Sequence, residues 1–427
     1  MKTRYLIIGN SVSGINCIEG IRQVDRRGKI IVVSDENIHN YSRPLISYYL
    51  GGRVREKETS FRERGFYHEN GVELLLNTRA EKIDACRRTV TTNKGTIEFK
   101  KLLIATGGRP FVPRIEGCES VKKGVFTFTR LSDAVALVRY IRERGMDRGV
   151  VLGGGLIGLK CAEGLIERGM KTAIIELADR LLPSTLDSTA SGIIEKALKG
   201  KGCEVIKKDT VAAVESRKGV MQSILLKSGR RIETGLLVIA IGVNPDIDII
   251  TGTGIKHSRG IIVDSHMRTN LQDIYAAGDV AEGMDSLLSG NAVIAIWPVA
   301  ARQGRIAGIN MAGGEEVYTG MFPMNAVDIA GIPVISFGIT APADDAEYEI
   351  LEKRGEGFYK KIVLRDNVIK GCIFMGRIER SGIFSGIMRD RVDVSSFKKE
   401  LLSDDFGLLV LPREYRKHMV VGEGIEI

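Results

Sequence analysis

The chain has 427 residues, more than one hydrophobic core readily serves, which predicts roughly two or three domains. Hydrophobic residues make up 44% and aromatics 6%, the balance of a globular protein; no apolar run is long enough to span a bilayer or form a signal-peptide core, so a cytoplasmic protein is expected. The net charge of +9 comes from scattered Lys and Arg with no run of five, which argues against a nucleic-acid-binding stripe and leaves solubility or attraction of an acidic protein partner as its use.

Residues 5–8 read as a buried strand running into the turn Gly9-Asn-Ser11-Val-Ser13-Gly14 and then a helix; a strand over 30–33 follows and leads to Asp35. In such a turn backbone N–H groups approach a pyrophosphate, the helix start favours its negative charge, and an acid about 20 residues on can hydrogen-bond a ribose hydroxyl. Ser11 stands where the middle glycine of the usual pattern would be. A strand ending in Ala105-Thr106-Gly107 then leaves this unit towards Pro110 and Pro113.

The plan repeats. A strand meets Gly153-Gly-Gly155-Leu-Ile157-Gly158, and the next strand, over 172–175, ends in Glu176; a strand over 236–241 runs into Gly242-Val-Asn-Pro245 as the earlier one ran into Gly107. Each turn lies between a strand and a helix and each carries its acid, a context that points to two dinucleotide sites and away from packing turns. An acid at the position of Glu176 binds both ribose hydroxyls and repels a 2′-phosphate, which predicts NADH over NADPH; Arg180 is close enough in sequence to soften that preference, but is expected on the surface.

Beyond the second unit come Ala277-Gly278-Asp279 at a strand end and a helix from about 298 to 311 behind Trp297. From 326 the pattern changes to alternating strands, 359–364 and 368–375 around Asp366-Asn367, an antiparallel hairpin, with a helix near 381–388. The domains are expected at 1–115 and 244–325 for the first unit, 116–243 for the second, and 326–427 for a C-terminal α+β domain that packs on the first unit and forms a homodimer contact. The six cysteines, Cys17, Cys86, Cys118, Cys161, Cys203 and Cys372, form no CxxC or other close pair, so reduced, mostly buried thiols are expected and no iron–sulfur or zinc site can be built from them.

The two glycine turns, Ala105-Thr106-Gly107, Gly242-Val-Asn-Pro245 and Ala277-Gly278-Asp279 together resemble the FAD- and NAD(P)-dependent pyridine nucleotide oxidoreductases of the two-dinucleotide-domain type, over nearly the whole chain. Within that group, Tyr41-Ser-Arg43-Pro44-Leu-Ile-Ser47 is similar to the Arg-Pro segment of rubredoxin reductases, ferredoxin reductases and apoptosis-inducing factor. Asp393-Val-Ser-Ser-Phe-Lys and Leu411-Pro-Arg413 resemble the C-terminal region of NirB-like flavoproteins from anaerobes. Related subunits also serve as the NADH-reactive part of larger 2-oxoacid oxidoreductase complexes. The resemblance implies an α/β fold with two Rossmann-like domains, one for FAD and one for NAD, and a C-terminal α+β domain.

It also implies roles. Asp35 would hold the FAD ribose, Arg43 would fold back towards the pyrophosphate or adenine, and Asp279 would accept from the ribityl chain, although an aspartate there can also cap a helix. Trp297-Pro-Val-Ala300-Ala-Arg-Gln303-Gly304 resembles a ferredoxin reductase segment whose helix start faces flavin N1 and O2; the alternative is a core Trp297. Pro44 and its neighbours occupy the place of the redox cysteine of disulfide-reducing relatives, so electrons are expected to pass from NADH to flavin N5 and out to an external acceptor with no thiol relay. Ferredoxin reductases usually pair a lysine after the Arg-Pro segment with a glutamate past the NAD turn, and here those positions are Tyr48 and Lys160. Lys160 is expected beside N5, partly balanced by Glu163 one helical turn on; the alternative is a solvated lysine. The expected function is an NADH-dependent flavoprotein reductase for a small redox protein such as rubredoxin. Two alternatives stand beside it, an NADH-reactive subunit docked to iron–sulfur subunits and a flavin redox-sensing interaction protein.

Overall fold

A computed structural model describes residues 1–287, 290–342, 345–407 and 409–412. Arg413 of the C-terminal segment noted above lies outside them, as does the rest of 413–427.

The first sheet is parallel at its centre because its strands are apolar on both faces. Ile30–Val33 is buried throughout, and Lys2–Ile8 is buried from Tyr5 onward. In the order Val72–Leu75, Ile30–Val33, Lys2–Ile8, Gly95–Ile104 they pair in parallel, and the antiparallel strands Thr89–Thr92 and Ala80–Asp84 extend one edge. The distant strand Ile274–Ala276 also joins Gly95–Ile104 in parallel, Ile274 opposite Leu102. The chain thus leaves this sheet and returns to it.

Between departure and return lies a second parallel sheet, ordered Glu204–Lys207, Lys171–Glu176, Arg148–Leu152, Leu237–Ile239, Val125–Thr127. The ribbon of Gly108–Pro110 against Val243–Pro245 joins the two halves where both strands cross over.

The glycine turns repeat the same backbone geometry. Gly9 has φ of 117° and Gly153 φ of 115°, and a Cβ on either would lie 2.1 Å from Ala105 O or 2.3 Å from Ala240 O. Ser11 is tolerated because its position, the N-cap of helix Val12–Val24 with φ of −101°, asks nothing of the backbone that serine cannot supply.

The helix Trp297–Met311 packs on Val12–Val24 at glycine distance. A Cβ on Gly304 or Gly308 would each fall 2.2 Å from the carbonyl oxygen of Ser13 or Cys17. This close approach puts the start of the late helix beside the first glycine turn.

The C-terminal domain is a five-stranded antiparallel sheet, ordered Met324–Ile329, Ile332–Gly338, Val368–Met375, Phe358–Arg365, Glu349–Gly355, with the helix Gly382–Arg389. Asp366 and Asn367, at φ of 53° and 56°, form the tight turn that the right-handed strand twist favours. The sheet does not pack on the first unit alone. Tyr359, Ile373, Met375 and Val334 share a core with Leu182, Leu186, Ala190 and Ile194 of the second unit, and the first unit adds Tyr41, Ile46 and Leu50, with Ile38 and Tyr49 packed against this core. Among the described residues no helix is long and apolar enough to cross a membrane.

Candidate functional site

A cleft of about 1320 Å³ runs between the three bodies, larger than the roughly 300–1,000 Å³ that a drug-sized ligand occupies. The first unit contributes Gly9, Ser11, Ser13, Asp35, Arg43, Pro44, Ala105, Thr106, Gly107 and Asp279, with Trp297 and Ala300 from the late helix; Tyr48, Ile157 and Lys160 also line it. The C-terminal strand Met324–Ile329 supplies a further wall through Asn325, Val327 and Asp328.

Arg43 bridges the units. Its guanidinium lies 3.4 Å from Ser11 Oγ and donates to Thr129 O at 3.0 Å. Burial pushes the Asp279 carboxyl up from the ordinary aspartate value, and Arg43 opposes this. Behind it, Gly278 donates its N–H to Gln303 Oε1 at 2.9 Å, and Ser13 Oγ donates to Ala300 O at 3.0 Å. These bonds hold the strand end, the glycine-turn helix and the late helix in one register. Trp297 lines the cleft and meets Phe61 edge to face, ring centroids 5.1 Å apart.

Asp35 reaches the cleft with its carboxylate 3.0 Å from Arg130. Glu36, beside it, accepts from Tyr41 Oη at 2.9 Å. Sequence reading missed Glu36, Thr129, Arg130, and the pair Arg109 and Asp246, joined at 2.8 Å where the ribbon meets the cleft. Thr129 and Arg130 belong to the second unit, far along the chain from the turn they face, and no spacing rule connects them. Asp246 was within reach, next to the quoted Gly242-Val-Asn-Pro245 segment.

The second glycine turn does not open into the same space. Gly153, Gly155, Gly158, Glu176 and Gly242 stand off the cleft wall, as do Gly14 and Gly278, while Leu156 and Ile157 of the helix Leu156–Glu167 reach it. Glu176 accepts the N–H of Gly154 at 2.6 Å and that of Ala178 at 2.7 Å, so its carboxylate is anchored at the turn. Arg180 is partly exposed, with 30% of its side chain accessible and contacts to Asp179 and to Pro183 O.

Lys160, Glu163 and Tyr48 are brought together. The Lys160 ammonium lies 2.6 Å from Glu163 Oε2, donates to Asp328 O at 3.1 Å, and sits 5.5 Å above the Tyr48 ring. With 16% of its side chain exposed, Lys160 is no solvated surface lysine. Glu163 is not among the residues that line the cleft and accepts the Ala330 N–H at 2.6 Å.

No cysteine lines the cleft. Burial pushes the thiols of Cys17, Cys161 and Cys372 far above the ordinary range and that of Cys203 up to about 12, where a thiolate is not formed near neutral pH.

The cleft fits FAD on its own evidence. A turn that a Cβ would fill faces a helix start, and the half-buried carboxyl of Asp279 lines the cleft, where it can accept hydroxyl groups. The second turn repeats this geometry with an acid at its strand end, as a nicotinamide dinucleotide requires. Fold and site together define a flavin-dependent NAD(P)H oxidoreductase with FAD and NAD(H) as its cofactors.

The chain belongs to the pyridine nucleotide-disulphide oxidoreductase family, whose model matches residues 3–304, and residues 323–392 match the rubredoxin NAD+ reductase C-terminal domain. It is 30% identical over 407 residues to the NADH-dependent phenylglyoxylate dehydrogenase subunit epsilon of Aromatoleum evansii, covering 94% of this chain and 95% of that one. It is 30% identical over 279 residues to the rubredoxin-NAD(+) reductase of Ectopseudomonas oleovorans, covering 65% and 71%. NADH:rubredoxin oxidoreductase from Clostridium acetobutylicum shares the fold, with a TM-score of 0.77 at 22% identity over 93% and 98% of the two chains. The chain spans about half the length of some other curated relatives it matches.

Proposed function

We propose that this protein moves electrons from NADH through FAD to an external iron-containing carrier, a small redox protein such as rubredoxin, without a thiol intermediate. The observation that carries the reading is the cysteine-free cleft, where the first glycine turn, Asp279 and Trp297 face Lys160 and Ile157 from the helix of the second turn. When bound, FAD accepts a hydride and releases single electrons.

The residues divide this work. Asp35 and Arg43 bind the adenosine and pyrophosphate end, and Asp279 accepts from the ribityl hydroxyls. The start of helix Trp297–Met311 offers partial positive charge to the flavin's pyrimidine edge. Lys160 would offer its ammonium to a bound flavin at the N5 edge, with Glu163 fixing its position and the Tyr48 ring 5.5 Å from the ammonium. Glu176 selects a ribose with a free 2′-hydroxyl. In this reading the first dinucleotide domain comprises 1–115 and 244–325, the second 116–243, and the C-terminal domain from 326 on also mediates a homodimer.

A second reading has a specific observation behind it. The phenylglyoxylate dehydrogenase subunit matches over almost the full length of both chains, which favours a flavoprotein that serves as one subunit of a larger NADH-dependent dehydrogenase. Anaerobic stopped-flow reduction by NADH, followed by mixing with rubredoxin, ferredoxin or ferricyanide, tests the proposal. Rapid reduction and fast reoxidation by a small iron protein are expected. Reoxidation by ferricyanide alone, with iron–sulfur chains co-purifying from the native source, would replace the first reading by the second.

A further inference from the structure

The second glycine turn is tied to the C-terminal domain through a short strut. Both backbone groups of Gly154 are engaged, the N–H by Glu176 at 2.6 Å and the carbonyl by the N–H of Leu182 at 2.9 Å. Leu182 reaches it with φ of 51°, a left-handed conformation that a bulky residue keeps only when its surroundings hold it there. The carbonyl of Leu182 in turn accepts from Thr185 and Leu186, each at 2.9 Å, which makes residues 182–187 a compact turn.

The far end of this turn is Asp187. One carboxylate oxygen caps the helix Ser188–Gly200 by accepting from Ala190 N at 2.9 Å. The other takes two groups from the C-terminal strand Phe358–Arg365, Tyr359 Oη at 2.7 Å and Lys361 Nζ at 3.0 Å. Asp187 is 8% exposed, Lys361 7% and Tyr359 not at all. An ion pair so buried is a poor source of net stability, because desolvation opposes its attraction, but it fixes one body against another in one register. A second grip lies on the helix that the same turn begins, where Ala330 of the C-terminal sheet donates its N–H to Glu163 at 2.6 Å.

We propose that the C-terminal sheet braces the nucleotide turn through this strut, with Asp187 a positioning residue whose contacts to Lys361 and Tyr359 set the Gly154 peptide for nicotinamide nucleotide binding. The proposal rests on the reading of the second turn as the NADH site. It makes the C-terminal domain part of nucleotide recognition.

The test compares FAD-loaded wild type with Lys361→Met, Asp187→Asn and the control Glu349→Gln, which loses an exposed carboxylate of the same sheet paired with Lys398 at 2.8 Å. NAD+ affinity is measured by calorimetry, KM and kcat for NADH with ferricyanide, and FAD content and melting temperature alongside. Lys361→Met and Asp187→Asn are expected to weaken NAD+ binding about 3- to 30-fold and to raise KM in step, while FAD content and kcat at saturation hold and Glu349→Gln behaves as wild type. If Asp187→Asn does not fold, Lys361→Met carries the test. Unchanged NAD+ affinity in folded Lys361→Met overturns the brace, and so does a loss shared by Glu349→Gln in proportion to melting temperature. A wild type that binds no NAD+ would overturn the site assignment beneath it.

Discussion

Lys160 and Glu163 stand one helical turn apart with ammonium and carboxylate 2.6 Å from each other, and between them they hold two backbone groups of one C-terminal turn, the Asp328 carbonyl and the Ala330 N–H. The pair therefore belongs at once to the nucleotide helix, the cleft and the C-terminal sheet. Lys160→Met leaves a 5% exposed carboxylate without its cation, a loss on the order of 3–5 kcal/mol for a buried pair. Urea unfolding should show most of that loss, and Lys160→Met/Glu163→Gln should recover part of it. The same Lys160→Met change should move the flavin midpoint negative by about 20–60 mV and slow reduction by NADH. An unchanged midpoint in the folded variant would remove Lys160 from the flavin edge.

Glu176 is expected to make reduction by NADH much faster than by NADPH. Glu176→Ala should narrow that gap. It should also weaken binding of both nucleotides, because the Gly154 and Ala178 amides lose their shared acceptor. Equal reduction rates for the two nucleotides in wild type would contradict the assignment.

Turnover should need no thiol. Replacing all six cysteines by alanine removes buried sulfur at Cys17, Cys161, Cys203 and Cys372 and should lower the melting temperature. The rate of flavin reduction in the folded variant should stay that of wild type. Loss of turnover with FAD still bound, on changing any single cysteine, would restore a thiol relay.

Asp279 couples pH to stability in the apoprotein. Its folded carboxyl lies above the ordinary value of about 3.9 because burial disfavours the charge. A carboxyl raised on folding opposes folding once pH exceeds its unfolded pKa, and its cost disappears below that value, where both states are protonated. Asp279→Asn should therefore raise the melting temperature of the apoprotein near neutral pH and leave it unchanged below about pH 3.9. The same substitution should weaken FAD retention during gel filtration. Tighter FAD binding by Asp279→Asn would argue against a hydroxyl-accepting role.

The elements that carry the fold were legible because their cause is local. Strands 30–33 and 368–375 appear with the bounds expected, since a short apolar run between turn residues has few other uses, and Asp366-Asn367 turns where its left-handed tolerance allows. The two glycine turns were readable for the same reason, each needing a residue without Cβ where a carbonyl of the neighbouring strand stands about 2 Å from the missing atom. Order along the chain also identified the two units, because a βαβ crossover writes its strands in sequence.

Tertiary structure alone decided what faces what. Arg130 meets Asp35 across 95 positions, Lys361 meets Asp187 across 174, and Ala330 meets Glu163 across 167, and no local periodicity encodes any of these pairings. It also placed the C-terminal sheet chiefly on the second nucleotide unit, where the apolar faces of Tyr359 and Ile373 find Leu186 and Ala190. Which side chains a strand buries can be read from alternation, but which partner buries them depends on the shape of the complementary surface, and that surface exists only once both units have folded.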